Sequence, residues 1–146
     1  MTRAAAWRRM ARVLINIDVD DLARAEAFYV AAFGLRAARR FGAGGVELLG
    51  AEAPLYLLAK PAGSVPHRGA AAARDYRRHW TPVHLDFAVD DLDAAMRDVL
   101  AAGALAEGGV RESAWGRIAG FSDPFGHGFC LIEFSARGYD AVADPG

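Results

Sequence analysis

Thr81 to Leu92, TPVHLDFAVDDL, decides the reading of the fold, because a weaker copy of it, ARVLINIDVDDL, stands at Ala11 to Leu22. In each copy an alternating apolar strand runs into Val-Asp-Asp-Leu and then into an amphipathic helix. The spacing makes Leu14 the counterpart of His84, Asn16 of Asp86, Asp18 of Ala88, and Asp21-Leu22 of Asp91-Leu92. The chain is built twice.

Outward from the first copy, Val13, Ile15, Ile17 and Val19 point to one face of a half-buried strand over Arg12 to Val19, and Leu14, Asn16 and Asp18 to the other. Asp20 or Asp21 caps the next helix by accepting free backbone N–H groups of its first turn. Leu22, Ala25, Tyr29 and Phe33 recur at helical spacing, and Gly34 ends the helix. Arg36 to Phe41, Val46 to Leu49 and Leu55 to Leu58 read as three further strands, with Gly42-Ala43-Gly44-Gly45 as a hairpin turn. That glycine cluster lacks the Lys-Ser/Thr and helix of a phosphate-binding loop.

Outward from the second copy, Val83, Leu85, Phe87 and Val89 face the helix side, and His84, Asp86 and Ala88 the other. Asp90 or Asp91 caps a helix with Leu92, Ala95, Met96, Val99 and Leu100 along its apolar stripe, and Gly103 ends it. A short strand near Ala104 to Leu105 is expected, then strands over Arg111 to Ala114, Arg117 to Phe121 and Phe129 to Phe134. Ser122 to Gly128, SDPFGHG, has Pro and Gly where a tight turn wants them.

The 146 residues suffice to bury a real core, and 53% hydrophobic with 24% charged residues is globular composition. A net charge of −1 leaves no electrostatic footprint for nucleic acid or an anionic membrane. No run approaches the roughly 20 apolar residues of a membrane span. Cys130 is the only cysteine, which excludes an intrachain disulfide and suits a reducing compartment. The basic start, MTRAAAWRRMAR, lacks the unbroken apolar run of a signal peptide, so a cytoplasmic location is expected. No nucleophile elbow, His-Glu-x-x-His helix, dinucleotide fingerprint or Cys-x-x-Cys pair is present.

The doubled β-α-β-β-β pattern, the strands ending in Val-Asp-Asp-Leu, the helix AEAFYVAAFGL at Ala25 to Leu35 and the turn DPFGHGF at Asp123 to Phe129 together resemble the vicinal oxygen chelate superfamily. That group contains glyoxalase I, extradiol dioxygenases, fosfomycin-resistance enzymes, methylmalonyl-CoA epimerase and bleomycin-resistance proteins. The resemblance implies an α+β fold, two repeated β-α-β-β-β modules forming a curled, cup-shaped mixed sheet with helices outside. The expected divisions are a tail over 1–11, one glyoxalase-like domain over 12–135 and a tail over 136–146. Within the domain, module one is 12–59, the connection 60–80 and module two 81–135. The connection, KPAGSVPHRGAAAARDYRRHW, is expected near a homodimer interface or at the mouth of the cup.

The resemblance also implies four metal-holding positions on the concave face, which fall here on Leu14, Tyr56, His84 and Cys130. Only His84 has a usual ligand type, so neither a family-type metal nor a cofactor is expected. Glu133, three residues beyond Cys130, belongs on the opposite face of its strand. The expected function is binding of a small planar or aromatic molecule in the cup, as in bleomycin-resistance proteins. Tyr56 and Trp115 would lie against it, His84, Asp86 and Asn16 would orient it, and Cys130 would line the site. The alternative is a metal-dependent lyase, isomerase or dioxygenase with His84 as one ligand. Metal-free acid–base catalysis by His84 lies between them. Plainer roles stay open: His84 satisfied by a neighbour, Cys130 as a small buried residue, Asp86 with Asn16 fixing module register, and Trp115 at a subunit edge.

Overall fold

The computed structural model describes residues 11–146; nearly all of the expected amino-terminal tail lies outside the described residues. Each copy of the repeated stretch becomes a β-α-β-β-β module with its own four-stranded mixed sheet. In module one, β1 (Ile15–Val19) leads into α1 (Leu22–Phe33), followed by β2 (Arg36–Arg40), β3 (Gly45–Leu49) and β4 (Leu55–Ala59). In module two, β5 (Leu85–Ala88) leads into α2 (Leu92–Ala102), followed by β6 (Leu105–Ser113), β7 (Gly116–Ser122) and β8 (Gly128–Phe134). The strand orders are β1-β4-β3-β2 and β5-β8-β7-β6, with β1 parallel to β4 and β5 parallel to β8. The fold is therefore α+β, as the duplication implies.

The helix boundaries follow from their caps. Asp21 Oδ1 accepts from the Arg24 N–H at 3.1 Å, and Asp91 Oδ1 accepts from the Ala94 N–H at 3.0 Å. In both cases the second aspartate of Val-Asp-Asp-Leu is the cap. Gly34 closes α1 at φ 65°, where its N–H reaches the Val30 carbonyl. The side of α1 carrying Ala25, Phe28, Tyr29 and Ala32 is buried, and α1 also packs against α2.

One core runs through both modules. Phe33 of α1 stacks on Phe87 of β5 with centroids 3.9 Å apart, and Phe129 of β8 packs edge-on against Phe33. The two sheets are joined by side chains across a seam, without ladder hydrogen bonds between them. The Tyr29 hydroxyl donates to Asp123 Oδ2 at 2.5 Å, and Asp123 Oδ1 accepts from the N–H groups of Phe125 and His127 at 2.8 and 2.9 Å. Asp123 is only 3% exposed, so its charge rests on these three donors. Burial, then the Asp123 charge, pushes the Tyr29 phenol well above its ordinary value. The His127 Nε2 lies 2.7 Å from the Asp18 carbonyl oxygen, which only a protonated Nε2 can satisfy by donating.

Three strand expectations are corrected. β1 begins at Ile15 and β5 at Leu85, so Leu14 and Val83 precede their strands and stand 53% and 84% exposed; neither contributes to a strand face. The two strands expected around Ala104 and Arg111 are one, β6, whose register against β7 shifts between Glu107 and Arg111. Gly108, at φ 81°, absorbs the irregularity that breaks the alternating pattern. The carboxy-terminal stretch, expected to be irregular, forms a short 3₁₀ turn over Gly138–Ala141 that sets Tyr139 against Trp115 and Phe134.

If the seam depends on the buried phenol–carboxylate bond, Tyr29→Phe leaves Asp123 Oδ2 without its donor and costs about 2 kcal/mol. By calorimetry this should lower the melting temperature by about 5 °C. An unchanged melting temperature would remove this bond from the contacts that hold the modules together.

Candidate functional site

The parallel register of β5 and β8 sets Asp86 beside Cys130. Alternation turns both away from α2, and His84, two residues before Asp86, joins them. His84 Nε2 lies 3.5 Å from Asp86 Oδ1. One donor atom from each of His84, Asp86 and Cys130 lies within 4.8 Å of the other two. Burial, followed by the Asp86 charge and a thiol hydrogen bond to it, pushes the Cys130 thiol up from its ordinary value. Cys130 therefore sits here as a thiol rather than as an activated nucleophile. Glu133 is turned to the helix side, where it accepts from the Leu92 N–H at 2.8 Å and pairs with Arg117.

The connection over 60–80 crosses this site. Arg78 forks onto Glu107 with contacts of 2.7 and 3.0 Å. Its guanidinium passes over Gly128 so closely that a Cβ there would collide with it. The Trp80 ring lies 5.2 Å from the His84 ring, and a small cavity of about 90 Å³ lies among Arg78, Trp80, Glu107, His84 and Cys130. Farther back, the Tyr76 hydroxyl donates to the Lys60 carbonyl at 2.6 Å, and Arg74 pairs with Asp18 at 2.8 Å.

A larger cleft of about 480 Å³ opens between the inner edge strands β1 and β5. Ile15, Ile17, Leu85, Phe87 and Phe129 give it an apolar lining, and Asn16, Asp18, His84 and His127 supply polar groups. Its size falls in the range of small-molecule sites, as does its apolar lining with a few convergent polar groups. His84 borders both this cleft and the smaller cavity.

Of the residues singled out in the sequence, His84, Asp86 and Cys130 converge, and Asn16 lines the same cleft as His84. Tyr56 and Trp115 are engaged elsewhere. The Tyr56 hydroxyl donates to Glu47 Oε2 at 2.7 Å, and Arg39 forks onto the same carboxylate at 3.0 and 2.6 Å. Trp115, at the β6–β7 turn, packs against Phe134 and Tyr139. The four positions Leu14, Tyr56, His84 and Cys130 thus do not fit a shared metal ion, since Leu14 has no donor and the Tyr56 hydroxyl is held by Glu47. Sequence reading missed Arg78, Trp80, Glu107 and His127. The connection's basic and aromatic content was the signal for Arg78 and Trp80, the SDPFGHG turn for His127, and nothing local pointed to Glu107 of β6.

The family model described as a glyoxalase-like domain matches residues 14–132. The anthracycline biosynthesis protein DnrV of Streptomyces peucetius is 30% identical over 130 residues, covering 88% of this chain and 43% of that protein. The chain thus spans less than half the length of that relative. Among solved structures, the fosfomycin resistance protein FosX of Listeria monocytogenes matches with a TM-score of 0.65 and 19% identity, over 88% of this chain and 96% of that one. A glyoxalase-related enzyme from Fulvimarina pelagi matches with a TM-score of 0.66 and 17% identity, over 86% and 88%. At these identities the two structures carry the fold alone.

The network that holds Tyr56 has a pH signature. Hydrogen bonds from Arg39, then from Tyr56, lower the Glu47 carboxyl from 4.5 to about 2. A depressed folded-state value gives stability that is fully present above the unfolded value and lost as pH falls toward the folded one. Urea denaturation should show the native chain losing its advantage over Glu47→Gln between pH 4.5 and about 2. Parallel pH profiles for the two proteins would contradict this assignment.

Proposed function

Because the chain belongs to the glyoxalase-like domain family, we propose that it is a ligand-binding member, taking a small planar or aromatic molecule into the cleft between β1 and β5 without a family-type metal site. The observation that carries this reading is the 480 Å³ cleft itself, apolar along Ile15, Ile17, Leu85 and Phe87 and polar at Asn16, Asp18, His84 and His127. A flat ring system gains by covering the apolar strand edges, while the polar groups fix its orientation. DnrV is named for anthracycline biosynthesis, and anthracyclines are planar polycyclic aromatics, which supports a ring-shaped occupant here. Asn16 and His84 orient that occupant. Asp86 and Cys130 stand close to His84 on module two without lining the cleft, while Tyr56 and Trp115 are engaged with Glu47 and with Phe134 and Tyr139.

The reading includes a homodimer. β2 and β6 are unpaired outer edges, and Leu105 of β6 leaves apolar surface exposed on the second. It also places the protein in the cytoplasm, where a free thiol persists. Among the described residues no helix is long and apolar enough to cross a membrane.

A second reading keeps the lyase, isomerase or dioxygenase chemistry of the superfamily, with His84 as a metal ligand. The convergence of Asp86 and Cys130 on His84 favours it. The two readings differ in outcome: the first gives stoichiometric uptake, the second turnover that a chelator abolishes.

Asn16 is exposed and lines the cleft, so Asn16→Trp fills the cleft without entering the core. Titration with naphthoquinone and anthraquinone probes should give saturable binding at one site per chain, weakened at least about tenfold, or about 1.4 kcal/mol, in Asn16→Trp. Equal binding by the two proteins at matched melting temperatures would place the ligand elsewhere.

A further inference from the structure

We propose that the connection is a hinged strap: its neck is fixed to module one, while the run from Arg77 to Val83 lifts from module two and uncovers the small cavity that His84 and Cys130 border. This goes beyond the ligand reading and does not depend on what fills the cleft between β1 and β5.

The neck is the first argument. The Gly63 N–H donates to the Arg74 carbonyl and the Arg74 N–H to the Ser64 carbonyl, both at 2.8 Å, which closes the residues between them into a loop. The Arg74 guanidinium ties that loop to Asp18 Oδ2 of β1 at 2.8 Å and to Ser64 Oγ at 3.1 Å. The Lys60 N–H reaches the Val19 carbonyl at 2.9 Å, and the Tyr76 hydroxyl donates to the Lys60 carbonyl at 2.6 Å. The Arg74 side chain is 15% exposed, so water competes little for its bonds.

The attachment to module two is the second, and it is of another kind. Arg78 forks onto Glu107, but the two side chains are 32% and 37% exposed, and such a pair contributes little against water. The rest is fit: the Tyr76–Arg77 backbone lies against Gly126 and the Arg78 guanidinium against Gly128, at places where a Cβ would collide. Among the described residues, the main-chain hydrogen bonds from Arg77 to Val83 stay local, reaching Asp75 Oδ1, His79 Nδ1, the Arg78 side chain and the Thr81 hydroxyl. Trp80 and Val83, the large apolar residues of this run, stand 69% and 84% exposed. A segment with so few buried apolar contacts and outside hydrogen bonds opens locally while the rest of the fold stays intact.

What the motion uncovers is the third. Arg78 and Trp80 wall the cavity of about 90 Å³ beside Glu107, His84 and Cys130. That cavity shares Thr81, His84, Gly128 and Phe129 with the cleft between β1 and β5. Lifting the strap therefore joins the two spaces into one opening and gives solutes access to the Cys130 thiol.

The test reads the full chain in two ways. Amide nitrogen relaxation dispersion should show microsecond-to-millisecond exchange over Arg77 to Val83, with Gly63 and Arg74 quiet, and Glu107→Gln should enlarge that exchange over the same residues. Cys130 is the only cysteine, so alkylation by uncharged iodoacetamide reports access to the cavity. At fixed pH, Arg78→Gln should speed alkylation about fivefold, as expected from losing one exposed ion pair. Removing a positive charge beside the thiol would by itself disfavour the thiolate and slow the reaction, so a faster rate reads opening. Circular dichroism melts establish that each variant is folded. Flat dispersion over Arg77 to Val83 in both the native chain and Glu107→Gln overturns the proposal, as does exchange of equal size at Gly63 and Arg74. Unchanged or slower alkylation in folded Arg78→Gln overturns it too.

Discussion

The buried carboxylate of Asp123 is the constraint on which the rest of the arrangement depends. Two four-stranded sheets that share no ladder bonds have no backbone reason to hold a fixed relation. Their relation is set where module two's turn meets module one's helix, at Asp123 and Tyr29. An ionised carboxylate at 3% exposure is tolerable only with donors on both oxygens. Two of those donors are N–H groups of its own turn, and the third must come from Tyr29. The turn thus cannot satisfy itself without docking on α1, which makes the docking specific. The His127–Asp18 contact and the Phe33–Phe87 stack then align β1 and β5 across the seam.

The same arrangement explains why a cleft exists. β1 and β5 are edge strands facing one another, and if their backbones paired, the two sheets would close into one. They approach through side chains instead, which leaves the 480 Å³ opening between them. The connection reinforces this spacing by tying Arg74 to Asp18 of β1 and laying Arg78 across Gly128 at the start of β8. A Cβ at 128 would push the Arg78 guanidinium aside, so glycine there lets the connection lie close against β8.

Elements with local causes were legible in the sequence, and contacts between distant segments were not. Both helices could be bounded from Asp21, Gly34, Asp91 and Gly103, because caps act within one turn. The duplication gave the two modules, and strand alternation put Asp86 with His84 and turned Glu133 away. β6 looked like two strands because Gly108 and Gly109 interrupt the alternation at the register shift. Trp115 looked available to a ligand because its partner Tyr139 lies in a tail with no periodic pattern. The Tyr29–Asp123 bond joins residues 94 apart in sequence, and no local rule connects them.

Setting the modules side by side shows how one duplicated sheet came to be closed and the other open. In the first sheet the ladder runs Asn16, Tyr56, Glu47, and Glu47 is covered by Arg39 and the Tyr56 hydroxyl. In the second the corresponding ladder runs Asp86, Cys130, Gly120. Where module one places a glutamate that draws in an arginine and a tyrosine, module two places no side chain at all, and a cavity lies there. A carboxylate at 120 would compete for the space between Cys130 and Glu107. With glycine there, Asp86 has His84 and the Cys130 thiol as close polar neighbours. The Glu47, Arg39 and Tyr56 groups of module one are engaged with one another on their own sheet, whereas His84, Asp86 and Cys130 of module two lie beside an open cavity.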